Sequence, residues 1–525
     1  MKFFNTKQSL WWMFLLGFVL CVFGSGSSII YILDEAKNSE AAREMLLYGN
    51  YFKPTFNNII RTDKPPFHYF FMMIGYKIFG INAFGARFFS GLFGAFTILT
   101  TVVFTQKYLG YKIAKVTFWI LLSSFYFIQE FHLAVPDPYL IFWMSLTFFC
   151  YIDFFISKST KILWLLYFSM GFGVLTKGPV AIALPVLIAF VHLLITRSFT
   201  IKNILSFKPF LGLILVLLIS FPWFYMAHIK TGGVFTEGFF LKHNIERFQD
   251  KMEGHGGIFL ITIGFVLLGM LPFSVWIFRA LFYGLKQRLQ HPFIFFITIS
   301  VITFITFFAV SATKLPNYTM PCYPLMAILL AWFFMEYGIK LKYGYIEWGS
   351  LLLISFALPV AGYIGLSLDS SLVSKNWLAF FLIFVPVGVL IAVFYIIKKR
   401  VDNSFNSLVT TFTLLSIVLF GIVFPQLTKE SPVVKFKENI NENRPVIVYK
   451  RMDSAFPINF NRTYRVIDNI EEAQLFFKEN PQGVLITNTR NKEEINELSI
   501  FKKLFSQKSL FENHTTRVYG IDQTK

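Results

Sequence analysis

The sequence predicts an all-α polytopic membrane protein with a small α/β or α+β domain at its carboxyl end, and three observations carry that reading. Hydrophobic residues fill 55% of 525 positions, with 68 Phe, while charged residues reach only 15%. Soluble domains run at about 45–50% apolar and about 25% charged, so this chain lacks the polar surface that water would require. Apolar runs recur as far as Phe424, most of them near the roughly 20 residues that cross a bilayer hydrocarbon core. Beyond about Lys429 charges become frequent, the apolar runs shorten, and Pro432 marks the junction.

Taken in order, the runs lie near 10–31, 83–105, 116–129, 138–156, 162–175, 180–196, 209–228, 257–279, 292–311, 317–336, 347–368, 376–397 and 406–424, about thirteen spans. Cys21 follows a charged start and an apolar run, as in a lipoprotein signal, but Leu20 is the wrong size for such a cleavage site, so 10–31 reads as a retained first helix. The stretch 66–80 reads as re-entrant or as the start of the second span. Residues 1–428 thus form the membrane domain and 429–525 an outer domain. In the latter, Val446–Tyr449 and Val484–Thr487 read as buried strands, and Ile470–Lys478 and Lys492–Leu498 as helices.

Charge fixes an expected orientation. Alternate loops carry Lys107, Lys112 and Lys115, then Lys158 and Lys161, then Arg197, Lys202 and Lys208, and so on to Lys398, Lys399 and Arg400. The other short loops hold essentially Lys177, Lys314 and Lys375, which puts the first set in the cytoplasm and the carboxyl terminus outside. The net charge of +19 therefore reflects topology and a basic tail rather than a nucleic-acid surface. Cys21, Cys150 and Cys322 sit in or beside apolar runs and form neither a disulfide framework nor a zinc spacing.

Polar residues concentrate at the outer edge. The loop 33–82 is far longer than a connection needs, and loops of that length are usually functional or disordered. It opens with Asp34-Glu35 and contains Lys64-Pro65-Pro66, where two prolines hold a lysine at headgroup depth. Asp34 as a mere helix cap and Lys64 as a snorkelling lysine are the plainer readings. Carboxylates at a lipid boundary are costly, however, and tend to be functional. A second short loop brings Asp137 between Pro136 and Pro138; His132 in the same loop reads as an interfacial histidine without a role. Thr176-Lys177-Gly178-Pro179 and Lys314-Leu315-Pro316-Asn317-Tyr318 are lysine-plus-proline turns on the side where lysine is unexpected, and 228–257 holds His243 and Arg247. A cationic rim for an anionic lipid phosphate is the simplest explanation.

These motifs, with Ala42-Arg43-Glu44-Met45, Asp137-Pro138, His243-Asn244 and Arg247-Phe248, are spread in order over about the first 330 residues. Together they resemble the GT-C superfamily of polyprenyl-phosphate-sugar glycosyltransferases, specifically the bacterial aminoarabinose (lipid A) transferases and the protein O-mannosyltransferases. The resemblance implies a fold of about thirteen helices with a small outer domain. It also implies a donor on a polyprenyl, in bacteria undecaprenyl, monophosphate, an inverting transfer, and a multi-pass inner-membrane location with the site facing the periplasm or outer side. By motif match, Asp34 with Glu35 and Asp137 form the catalytic acidic group. Lys64 is a phosphate ligand, and Lys37, Lys177, His243, Arg247, Lys314 and Tyr318 join the substrate site. Lys37-Asn38 stands where the aminoarabinose enzymes have Arg-Tyr, and Asp63 where glutamate is common, which leaves sugar and acceptor open among glycolipid, polysaccharide and protein.

The chemistry follows from the residue types. A hydroxyl attacking an anomeric carbon must lose a proton, which a positioned carboxylate can take, while cations stabilise the departing phosphate. A monophosphate can be handled by cations alone, so no metal is required; a divalent metal between Asp63 and His243 is the minor alternative. A transporter or flippase of lipid-linked sugars is the rival class. Transporters place ionisable groups near the midplane and often show inverted repeats, whereas here the charges cluster at one edge and no internal repeat is visible. A receptor or scaffold built on the outer domain leaves both carboxylates unexplained.

Overall fold

Hydropathy dictates the architecture. The computed structural model describes residues 7–241, 258–338, 344–441 and 443–521. The first eleven helices are α1 (Lys7–Val22), α2 (Leu33–Tyr48), α3 (Phe67–Phe79), α4 (Ala83–Leu109), α5 (Tyr111–Ser123), α6 (Phe125–Glu130), α7 (Asp137–Ser157), α8 (Thr160–Lys177), α9 (Val180–Ile195), α10 (Ile201–Ser206) and α11 (Pro209–Thr231). Every expected span falls on a helix or a broken helix, and among the described residues eight helices are long and apolar enough to cross a membrane. The chain is a multi-pass membrane protein.

Departures from the expected spans have local causes. The first helix stops at Val22 instead of running to 31, because Gly24 (φ +78°) turns the chain so close to Phe420 that a Cβ there would lie 2.7 Å from its carbonyl oxygen. The expected span 116–129 breaks at Ser124 into α5 and α6. Near 257–279 the helix breaks ahead of Pro272 and resumes as a 3-10 turn, Phe273–Trp276. The stretch 66–80 is a separate helix, α3, laid against α4. The two approach so closely that a Cβ on Gly75 would sit 2.0 Å from the Gly85 carbonyl oxygen.

The carboxyl-terminal part holds a five-stranded sheet in the order β4-β3-β5-β7-β6, from β3 (Val446–Tyr449), β4 (Arg465–Ile467), β5 (Val484–Thr487), β6 (Lys502–Lys508) and β7 (Thr515–Gly520). β3 pairs parallel with β4 and β5, whereas β7 runs antiparallel to β5 and β6. The sheet is joined to the first outer loop. Ala36, Ala41 and Met45 of α2 share a core with Val433, Phe436, Val448 and Ile486. Asn57 clamps the Tyr464 backbone twice, donating to its carbonyl at 3.0 Å and accepting from its amide at 2.7 Å. The helices and this sheet therefore meet at the loop that carries the acidic pair.

Candidate active site

A tight hairpin aims the site. β1 (Thr55–Phe56) and β2 (Ile59–Ile60) pair antiparallel through Asn57 and Asn58, both at positive φ (52° and 65°), a conformation that asparagine tolerates and a two-residue turn demands. Glu44 on α2 anchors the hairpin, accepting from Thr55 Oγ1 at 2.5 Å and from the Asn58 amide at 3.2 Å. The strand leaving the hairpin delivers Arg61, Asp63 and Lys64, and Pro65 and Pro66 fix the backbone before α3 begins.

Asp34 lies in the first turn of α2. Arg61 Nη2 donates to it at 3.2 Å, Lys64 Nζ stands 3.9 Å away, and Arg61 Nε also reaches Asp63 at 3.3 Å. Burial pushes the Asp34 carboxyl up, but Lys64, then Arg61 and Lys177, outweigh burial and hold it at about 2. The side chain is still 46% accessible, so the cations leave part of the carboxylate open to a ligand.

Asp137 is the first residue of α7, where a carboxylate also meets the positive end of the helix dipole. Lys177 ends α8 because Gly178 (φ +78°) breaks the helix and Pro179 caps the next one. Its Nζ donates to Asp137 Oδ1 at 2.6 Å and lies 5.3 Å from the centre of the Tyr318 ring. Lys64, Asp63, Asp137, Lys177, Asn317 and Tyr318 line one end of a cavity of about 550 Å³. Its remaining wall is apolar, with Leu140, Met144, Leu184, Phe304, Phe307 and Phe308. One compartment thus offers cations and carboxylates at its head and a hydrocarbon-compatible body behind them.

Three sequence expectations change. Glu35, expected beside Asp34 in the acidic group, is fully buried and saturated. Arg87 binds it with two hydrogen bonds of 2.6 and 2.8 Å, and the Ala134 amide adds a third at 2.9 Å. Arg87 in turn donates to the carbonyls of Ser25, Ser28 and Ile29, so the pair ties α2 and α4 to the end of the first span. Lys314, expected on the cationic rim, is buried and donates to the Ser311 carbonyl at 2.7 Å, which caps the helix Pro292–Val310. Lys37 follows Asp34 by one helical turn and is half-buried; neither of the two is among the residues that line the cavity, but Asp34 stands 3.9 Å from Lys64, which does line it, and Lys37 has no such link among the described residues. His243 and Arg247 lie outside the described residues. The Asp63–His243 metal alternative therefore rests on a residue outside them, and among the described residues no group of three or more His, Cys, Asp or Glu is placed to hold a metal.

Other residues gain roles that their sequence context hides. Arg61, which links Asp34 to Asp63, stands in no motif. Asn38, the departure from the Arg-Tyr pattern, is buried and accepts from Tyr69 Oη at 3.3 Å with His68 Nε2 equally close, so it serves packing here. His132 stacks on Phe420 and sits 2.9 Å from the carbonyl oxygens of both Ile128 and Phe23, as an interfacial structural histidine would.

Comparison with known proteins places this geometry. The family model described as dolichyl-phosphate-mannose-protein mannosyltransferase matches residues 35–233. A protein of Aquifex aeolicus (strain VF5) is 32% identical over 326 residues, covering 61% of this chain and 63% of its own length. The undecaprenyl phosphate-alpha-4-amino-4-deoxy-L-arabinose arabinosyl transferase of Yersinia pestis (strain Pestoides F) is 28% identical over 316 residues, 58% of this chain and 55% of that protein. The chain thus aligns with between half and two thirds of the length of these relatives. The crystal structure of ArnT from Cupriavidus metallidurans bound to undecaprenyl phosphate superposes with a TM-score of 0.80 at 19% identity, covering 99% of both chains. The chain is therefore similar to the GT-C glycosyltransferases that include the aminoarabinose transferases and the protein O-mannosyltransferases, and it has the ArnT fold.

Proposed function

We propose that this chain is an inverting glycosyltransferase that moves a monosaccharide from a polyprenyl-phosphate carrier to an acceptor hydroxyl or phosphate at the outer face of the inner membrane. One observation carries the reading: a single cavity joins two lysines and two carboxylates at its head to an aromatic and aliphatic body. The head suits a phosphate next to a sugar, and the body suits an isoprenoid chain. Neither the rim charges nor the apolar wall alone would point there.

In this reading the donor phosphate sits on Lys64 and Lys177 beside Tyr318. The acceptor oxygen attacks the anomeric carbon as the bond from that carbon to the phosphate oxygen breaks, and Asp34 takes the hydroxyl proton. Charge that gathers on the departing polyprenyl phosphate is stabilised by the two ammonium groups in a site shielded from bulk water. Cations that hold the Asp34 carboxyl low become shared with the phosphate once the donor binds. Asp34 is then a stronger base when a substrate is present. Asp137 orients Lys177, and Arg247 and His243 keep the donor-side roles that the resemblance implies.

Purified full-length protein in detergent micelles, supplied with a polyprenyl-phosphate sugar and a crude extract of envelope acceptors, should release polyprenyl phosphate and glycosylated product. Micelles have no compartments, so a transporter would give no product there. Mass spectrometry of envelope lipids, polysaccharides and proteins from a deletion strain should identify the acceptor by the sugar it loses.

A further inference from the structure

The same helices that hold the site at one end enclose a second, separate cavity toward the other. It has a volume of about 370 Å³ and runs between α7, α8, α9 and α11, with Tyr151, Tyr167, Ala189, Phe190 and Leu213 among its walls. α9 divides the two compartments. Val180, Ala183 and Leu184 face the site cavity, whereas Ile182, Pro185, Val186, Ala189 and Leu193 face the second one. From Ile182 to Leu193 the wall extends about 17 Å at a helical rise of about 1.5 Å per residue, close to the length of a lipid acyl chain.

The polar groups inside this cavity are already satisfied. Tyr167 Oη donates to the Phe207 carbonyl at 2.7 Å, and Tyr151 Oη is 3.0 Å from His192 Nδ1. Nothing polar is therefore demanded of the occupant's body. Its mouth is different. Lys208 is exposed between Phe207 and Pro209, which line the cavity, Lys202 is exposed on α10, whose Ile204 lines it, and Lys158, at positive φ (56°), holds its ammonium 5.9 Å from the Phe207 ring. Among the described residues none of these three lysines pairs with a carboxylate. Asp153, one turn before Ser157, is bonded to Lys107 at 2.6 Å and to Tyr108 at 2.7 Å. The short helix α10 at the mouth exposes Ile201 and Leu205, as a helix lying in a membrane interface would.

We propose that this cavity binds the acyl chain of an anionic phospholipid whose headgroup sits on Lys158, Lys202 and Lys208, at the end of the helices remote from the transfer site. Apolar walls of acyl length and a mouth of uncompensated positive charge fit that occupant, and the wall formed by α9 separates it from the donor compartment. The inference is independent of the transfer reading, since it uses none of the residues assigned to catalysis.

Native mass spectrometry of full-length protein released from detergent tests it, with phosphatidylglycerol and phosphatidylcholine of identical acyl chains as the probes. Wild type should retain phosphatidylglycerol with roughly fivefold preference, the scale of one lysine at an anionic lipid surface. The triple variant K158A/K202A/K208A, whose exposed side chains leave the core untouched, should bring the two lipids to parity. Ala189→Phe, which fills the cavity, should lower retention of both while the lysines remain. Equal retention of the two lipids by wild type would overturn the proposal, as would an unchanged preference in the triple variant. Displacement of phosphatidylglycerol by equimolar undecaprenyl phosphate would overturn it too, by giving the cavity to the donor's chain.

Discussion

Asp34 and Glu35 are neighbours in the first turn of one helix, yet they have opposite surroundings. Glu35 is fully buried and uses its carboxylate on Arg87 and on the Ala134 amide. Asp34 is 46% accessible, its cations stand at 3.2 and 3.9 Å, and both of those cations lie on the segment that leads to the cavity. Successive helical residues point about 100° apart, so one step in sequence separates a fastener from a reactive group. Open valence on Asp34, next to the cavity-lining Lys64, marks chemistry, and saturated valence on Glu35 in the core marks structure.

The largest expected effect breaks the structural half of this comparison. Glu35→Ala should lower stability by about 3–5 kcal/mol, because it strands the Arg87 guanidinium in the core. The fall should be read as a drop in thermal midpoint in micelles, and Glu35→Ala/Arg87→Met should recover part of it. An Asp34→Ala protein that melts as low as Glu35→Ala would erase the distinction.

Next comes the other carboxylate of the site. Asp137→Asn should cut transfer about 100-fold, the low end of what a positioned acid–base or orienting group contributes, with a smaller loss of stability than Glu35→Ala, because the amide oxygen can still accept from the partly exposed Lys177. Steady-state kinetics on purified protein would check it. Lys64→Ala should weaken donor binding and also slow transfer, since the departing phosphate gains charge in the transition state, and Lys64→Arg should restore part of both. Donor titration alongside single-turnover rates separates the two effects.

The smallest expected effect is in the pH profile. An aspartate whose folded value is depressed stabilises the fold above its unfolded value of about 3.9 and loses that contribution only as pH falls through its folded value. With Asp34 held at about 2, that window lies between about pH 4 and pH 2. In kinetics, kcat/KM reports the free enzyme and should show no acid limb from Asp34 down to about pH 4, whereas kcat reports the donor complex and should show its limb at higher pH. Coincident limbs would mean that the donor does not share the cations that hold Asp34.

Much of this fold was legible because a bilayer imposes a crude code. A run of about twenty apolar residues reads as a span, and the expected runs fall on helices or broken helices, eight of which, among the described residues, are long and apolar enough to cross a membrane. Breaks within spans were less legible, since the stop at Val22 depends on how Gly24 meets Phe420, almost 400 residues away in sequence. Edge strand β6, Lys-Lys-Leu-Phe-Ser-Gln-Lys, hides behind the charges that protect an edge. In the site, Asp137, Lys64, Lys177 and Tyr318 could be picked out because proline turns and lysines on the unexpected side mark them. Glu35 could not be told from Asp34, because its partner Arg87 lies 52 residues onward, in a helix read only as a span. Arg61 carried no mark at all; its place follows from a hairpin whose anchor, Glu44, is on another element.

Asp34→Asn provides the most direct test, because the amide keeps the shape of the carboxylate and cannot take a proton. Donor binding, thermal midpoint and single-turnover transfer to a hydroxyl acceptor should be measured on the same purified protein. The expected result is donor affinity and a melting point close to wild type, with transfer reduced by at least about 100-fold. Transfer at the wild-type rate would contradict the assignment of Asp34 as the base, and with it the reading of the open carboxylate as the reactive one.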